Sequence, residues 1–424
     1  MLPLHFRFIL QVLRSAGYKT ELLETQGPEI VEAGLKYVHN DACYPALLVI
    51  GQFISALESG KYDPHRTALI YFQTGGGCRA SNYISLLRKA LEKAGYGYVP
   101  VISFSMVGIE KHPGFKLSPS ILKRMAFGIM YGDILMSLTN QCSPYEKHKG
   151  ESRRLAYELT DRLAVDISTR GARIGDFKRT ANEIMRAFDA IEKEPGERIQ
   201  VGVVGEIYVK YSPLGNNNLV DFLVSEGAEC TVPGLLDFCL YYIYHHIAER
   251  GLYGFSRLKM AAFQLAYKLF LRIQHAEISI IESYGKFRAP APFEHTVERV
   301  QKFIGLGCKM GEGWLLPAEM LELYDRGVKN IVCTQPFGCL PNHICGKGMI
   351  RRLTQVHPGI NIVPIDYDLS ATKVNQENRI RLMLAVANDA AAKRREQELL
   401  IAQDEAAQGC SGNCDACKQQ HAGD

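Results

Sequence analysis

The sequence predicts an α/β fold: two open parallel-sheet domains, a helical connector between them and a C-terminal helix. Three observations point there. Short apolar runs alternate with stretches of helical period, the way strands and helices layer in α/β proteins. Residues 67–73 (TALIYFQ) are apolar on both faces and run into a Gly-rich loop, and 199–209 (IQVGVVGEIYV) reads as a parallel-type strand ending in Gly205-Glu206. A strand buried in a parallel sheet and followed by a helix reads this way. The 424 residues are also enough for two cores of ordinary domain size.

In chain order, residues 4–15 read as a helix, 20–24 as a strand and the next stretch as a helix. A loop carrying Cys43 leads into a helix over about 45–57, which Pro45 can start as its first residue. Strand 67–73 runs into Thr74-Gly75-Gly76-Gly77-Cys78 and a helix from Ser81. Residues 99–104 (VPVISF) form another strand, and 121–138 and 151–163 are helical. The polar, amphipathic stretch 166–197, ending in EKEPGER, reads as a connector. The second half restarts with the strand that ends in Gly205-Glu206, then the loop YSPLGNNN and a helix from Asn218. Strand 330–335 (NIVCTQ) breaks into the loop 336–341. Helix 344–356, strand NIVPIDYD, a helix to about 403 and the tail GCSGNCDACKQQHAGD follow. The expected division is 1–165, an α/β domain with the Cys43 and Cys78 loops; 166–198, the connector; 199–375, a second α/β domain with the Cys339 loop; and 376–424, helix and tail. A doubly wound domain opens on its central strand, whereas this chain opens on a helix, so a tight partner or a split arrangement is expected.

Composition excludes several classes. Hydrophobic residues at 47% and charged residues at 22% are ordinary for a globular protein. A net charge of +4 with no basic stripe argues against nucleic acid. No run of eighteen apolar residues is present, so no membrane span is expected. The N-terminal MLPLHFRFILQVLRSAG is interrupted by Arg7 and Arg14 and lacks a small-residue cleavage site, which speaks against a signal peptide. The expected location is the cytoplasm, where thiols stay reduced. The 12 cysteines then point to metal or catalysis before disulfides.

Three of them sit in loops stiffened by Gly or Pro: Cys43 in HNDACYP, Cys78 in QTGGGCRASNY and Cys339 in QPFGCLPNH. Thiolates far apart in sequence suggest a metal site assembled by the fold, and thiolate is a natural ligand for iron. For Cys78, Gly75, Gly76 and Gly77 allow close approach to a bulky ligand. A helix N-terminus would favour thiolate, and Arg79 could balance cluster charge. The alternative is a phosphate loop with an incidental cysteine. No Lys-Ser/Thr follows the glycines, which removes the P-loop form. Cys43 reads equally as a ligand or as a buried structural thiol. Cys142, Cys333 and Cys345 are further candidates, with core packing the alternative for Cys333. Cys230 and Cys239 read as packed thiols, and Cys308 in GLGCKMGEGW fits either reading. Cys410, Cys414 and Cys417 have a chelate spacing at the tail that suits zinc, a cluster or nothing. His343 reads as a ligand, a proton donor or a cap. Glu206 and Glu312, in Gly-flanked loops, are acid–base candidates, and Asp366 and Asp368 close a strand.

Taken together, HNDACYPALLVIGQ, QTGGGCRASNY, VGVVGEIYVKYSP, GEGWLLPAEM, QPFGCLPNHICGKGMI and IDYDLSATKVNQENRI closely resemble the 2-hydroxyacyl-CoA dehydratase and acyl-CoA dehydratase activase-related superfamily. More narrowly, the chain resembles the C-terminal part of the large activase-related proteins. The likeness covers roughly residues 3–390. It implies two flavodoxin- or Rossmann-like domains with an oxygen-sensitive 4Fe–4S cluster between them. Cys43, Cys78 and Cys339 match the ligand positions best. Double-cubane relatives hold an 8Fe–9S cluster on six cysteines, a number reached here with Cys142, Cys333 and Cys345. The resemblance further implies electrons from an ATP-hydrolysing iron–sulfur activator and a CoA-thioester substrate. The activity it implies is radical dehydration of a 2-hydroxyacyl-CoA or a related low-potential reduction. An electron-relay module without its own catalysis is the other reading. A homo- or hetero-dimer is the expected assembly.

Overall fold

Strand formation follows the apolar runs, and what lies on either face decides which residues are used. The structure, a computed structural model, describes residues 2–39, 41–72, 77–104, 114–171, 173–254 and 257–411. It is a mixed α/β structure, 63% helical, so helices must supply most of the core around two small parallel sheets. The first sheet pairs β1 (Leu69–Phe72) with β2 (Val101–Phe104) in parallel, Leu69 opposite Val101. The second contains β3 (Gln200–Gly205), β4 (Glu229–Thr231), β5 (Asn330–Pro336) and β6 (Asn361–Tyr367) in the order β4-β3-β5-β6, all parallel. The two halves are therefore unequal: two strands against four among the described residues.

Both faces of the larger sheet are covered, which is why its strands read as continuous apolar runs. Val201 and Val203 of β3 and Val332 of β5 point to one side, into a core shared with Leu223, Tyr367, Ile380 and Met383. Val204, Ile331 and Cys333 point to the other side, into a largely helical core around Trp314, Phe177 and Phe188. The small sheet has its own core, with Ile50, Ile54, Tyr71 and Leu87 packed by the helices Tyr44–Glu58 and Tyr83–Lys93. No helix among the described residues is long and apolar enough to cross a membrane.

Several expectations change. Residues 20–24 form no strand. Carbonyls there are taken by side chains instead of a ladder: Arg14 donates to Thr20 O (2.7 Å) and Gln52 to Leu23 O (3.3 Å), with Thr25 O just beyond also held by Gln52 (2.9 Å). Within 166–198, the helix Ile174–Asp189 buries Phe177, Ala181, Ile184, Met185 and Phe188, so this segment is part of the core and not a surface connector. Two long helices, Leu235–Tyr253 and Arg257–Tyr284, follow β4 in the chain before β5 is reached. The chain passes from β3 out to β4 and then back across to β5. The direction of winding thus reverses between β3 and β5, and a crevice opens at their carboxyl ends.

Candidate functional site

Two loops leave the carboxyl ends of β3 and β5 side by side. From β3 comes Glu206, whose backbone N–H donates to Thr334 O (3.3 Å). From β5 comes the Cys339 loop, pinned at both edges: Phe337 N–H donates to Tyr367 O (2.8 Å), and Phe337 O accepts from Tyr44 N–H (3.1 Å). The second bond ties the Cys339 loop to the Cys43 loop. Gly338 sits at that junction with φ +72°, and a Cβ there would lie 3.2 Å from Cys43 Cα. A side chain would be both strained and crowded, so glycine lets the two loops meet. On the opposite wall, a Cβ on Gly311 would lie 2.9 Å from Pro341 Cγ and 3.6 Å from Cys78 Sγ. That brings the Cys78, Cys339 and Glu312 loops together.

One cavity of about 1710 Å³ is lined by Cys43, Cys78 and Cys339, and also by Glu206, Glu312, His343, Arg79 and Gly77. Gly75 and Gly76 lie outside the described residues, as do Cys414 and Cys417. Cys43 caps the helix Tyr44–Glu58, and its Sγ is 2.8 Å from Tyr83 Oη. Tyr83 stacks on Tyr71 at 5.7 Å, which fixes the phenol. Arg79 donates to Asp41 O and so clips the Cys78 segment to the Cys43 loop.

The thiols differ from the sequence expectation. Cys78 precedes a four-residue 3-10 turn, Arg79–Asn82, and not a full helix. Burial pushes its thiol up to about 11, with Glu312 adding to the rise. Burial also raises Cys43, against the opposing hydrogen bond from Tyr83, and raises Cys339 well above its ordinary value. Desolvation outweighs helix-terminus stabilisation at these positions. The three therefore rest as thiols.

The carboxyl pair is unusual. Glu206 caps the helix Ile207–Tyr211 by accepting from Val209 N–H (2.9 Å), and Glu312 accepts from Ile207 N–H (3.0 Å). Burial first, and the charge of Glu312 second, push Glu206 up to about 8; burial also raises Glu312. Lys210 tempers both, but its ammonium is committed to Glu319 at 2.7 Å. His343 is exposed at the rim, its Nδ1 2.6 Å from Gln335 Nε2.

The other predicted ligands do not reach this cavity. Cys142 is fully buried in the helical core, where its Sγ faces Phe188 O at 3.8 Å. Cys333 alternates inward from β5 because the pleat sends it to the same side as Ile331, and its Sγ faces Asn342 Oδ1 at 3.6 Å. Cys345, buried in the turn Asn342–Lys347, pairs instead with the Cys308 thiol. Asp366 forms ion pairs with Lys347 (3.6 Å) and Arg379 (3.5 Å).

Sequence reasoning missed Tyr83, Gly311 and Gly338 as positioning residues. Only the glycines beside Cys78 and Cys339 hinted at them; the Cys43 loop has Pro45 in their place. It also passed over His245, His246 and Glu249, whose helical spacing is visible in HHIAE. No family model matches this chain, and no curated protein matches it either.

Proposed function

We propose that the protein is an iron–sulfur redox enzyme of the 2-hydroxyacyl-CoA dehydratase type, with its cluster held by Cys43, Cys78 and Cys339. The observation that carries the reading is that thiols from three distant loops line one cavity, next to two buried carboxyls of raised pKa. The donor set suits the group: sulfur only, with Gly311 and Gly338 giving close backbone approach and Tyr83 able to donate to Cys43 Sγ. The parallel order β4-β3-β5-β6 supports a flavodoxin- or Rossmann-like second domain. The reading requires a reducing compartment such as the cytoplasm, and a separate ATP-hydrolysing activator as electron source.

When bound, the cluster supplies one-electron chemistry at low potential. The chain's own residues then handle protons and water. Glu206, protonated at neutral pH, gives its proton to the departing hydroxyl of a 2-hydroxyacyl thioester, and water leaves. Glu312, taking a proton from the neighbouring carbon, restores the pair's count, so one water is lost and nothing else changes. The cavity exceeds the roughly 300–1,000 Å³ typical of small-molecule pockets. That leaves room for substrate beside a cluster and favours an enzyme over a closed relay.

A double-cubane arrangement, acting in small-molecule reduction, is the second reading. It needs six cysteine ligands, and Cys142 and Cys333 are buried away from the cavity while Cys345 meets Cys308, so the three-cysteine reading stands first.

The test is electron paramagnetic resonance of anaerobically isolated, reduced protein before and after adding 2-hydroxyacyl-CoA thioesters. A thioester-dependent change in the signal is expected. A signal indifferent to every thioester offered would replace the dehydratase reading with the relay.

A further inference from the structure

The helix Leu235–Tyr253 carries a second constellation that the cavity does not use. His245, His246 and Glu249 occupy spacings i, i+1 and i+4, which sets the carboxylate against both imidazoles on one stretch of helix surface. One ligating atom of each lies within 4.8 Å of the other two. His245 and Glu249 are 6% and 7% exposed. His245 Nδ1 and His246 Nε2 are buried without a hydrogen-bond partner, a state that buried polar groups rarely keep. His246 Nδ1 sits 3.2 Å from Glu249 Oε2. A cation already stands at this position: the Lys309 ammonium contacts Glu249 Oε1.

We propose that His245, His246 and Glu249 form a binding site for a first-row divalent cation of the zinc class, in the place where the Lys309 ammonium now meets Glu249. Two imidazoles and one carboxylate are the donor set of zinc and its neighbours, and not of magnesium or calcium. Bonds of ~2.0–2.1 Å would draw the three ligating atoms inward and expel Lys309 from Glu249.

That movement has a route into the chain. Lys309 follows Cys308, and the single Tyr241 hydroxyl proton is shared between Lys309 O (3.0 Å) and Gly311 O (2.8 Å). Tyr241 in turn packs edge-on against His245 with ring centroids 5.7 Å apart. A bound cation would therefore brace the loop that carries Glu312 without lining the cavity itself. The site rests on nitrogen and oxygen donors alone and stands whether or not the cysteines hold a cluster.

The experiment titrates Co2+ into the full chain under anaerobic conditions and follows absorption, with Zn2+ competition as the second readout. Wild-type protein is expected to bind one equivalent whose d–d bands are displaced by Zn2+ and are separate from any thiolate charge-transfer band contributed by the cysteines. E249Q and H245A are expected to weaken that binding by about 10-fold or more, the scale seen when a metal site loses a supporting interaction. K309M should strengthen it by about 10-fold, because a competing ammonium is removed. A gain of affinity cannot arise from misfolding, so this arm stands even if H245A folds poorly. Co2+ that shows only thiolate charge transfer, or E249Q and K309M that titrate like wild type, would overturn the proposal.

Discussion

Replacing Glu206 with Gln isolates the cost of holding a carboxyl in the buried end of β3. The folded protein raises this group from 4.5 to about 8, through burial first and the Glu312 charge second. Between those pH values the folded state keeps a proton that the unfolded chain has lost. Stability therefore declines as pH rises through the window, by about 1.4 kcal/mol per pH unit and of order 4–5 kcal/mol in total. Gln is nearly the same shape, can still accept from Val209 N–H and never ionises. Glu206→Gln should thus be close to wild type at about pH 5 and more stable at about pH 8, with the gap widening by about 3–4 kcal/mol. Urea unfolding of the metal-free proteins at the two pH values, extrapolated linearly to water, measures this directly. A gap that stays constant within about 1 kcal/mol, or shrinks toward high pH, would show that Glu206 ionises freely and would remove its assignment as the neutral-pH proton donor.

Three further outcomes follow from the geometry. Gly338→Ala forces an L-residue to φ +72° and sets its Cβ 3.2 Å from Cys43 Cα. It should cost about 1–2 kcal/mol in urea unfolding for the backbone alone and lower iron content; iron at the wild-type level would mean the Cys43 and Cys339 loops need not meet. Lys210→Met strips the partner from Glu319 in a pair whose side chains are 3% and 4% exposed. It should cost about 3–5 kcal/mol at neutral pH and much less in acid, where Glu319 is protonated, and a loss of equal size at both pH values would contradict this. Cys142→Ala removes a packed thiol, so it should cost about 1–2 kcal/mol while leaving iron content unchanged; lost iron would return Cys142 to the ligand set.

The parts of the fold legible in the sequence were those where burial on both faces leaves an uninterrupted apolar run. β1, β3 and β5 were all marked that way, each ending near a Gly or Pro loop. β4 escaped because three residues, Glu229–Thr231, are too few to show a period. Residues 20–24 carry strand-like residues but have no neighbouring strand, and a sequence does not reveal which carbonyls the distant Gln52 will occupy. The helix Ile174–Asp189 was recognised as amphipathic, yet whether its apolar face meets solvent, a partner or the core depends on what lies opposite.

At the site, loop stiffness pointed to Cys43, Cys78 and Cys339, since Gly and Pro mark positions where backbones approach closely. The direction of their pKa shifts was not legible. A helix N-terminus is visible in sequence, whereas the desolvation that outweighs it comes from packing contributed by remote segments. The same holds for Cys345, whose partner Cys308 lies 37 positions earlier, 345 less 308, on a loop placed only by folding.

Iron and acid-labile sulfide counted per chain in anaerobically isolated protein, wild type beside Cys78→Ser, test the proposed assignment most directly. About four of each are expected in wild type, with most lost in the variant while its far-ultraviolet circular dichroism is retained. Zinc in place of iron, or an undiminished iron count in a folded Cys78→Ser protein, would contradict it.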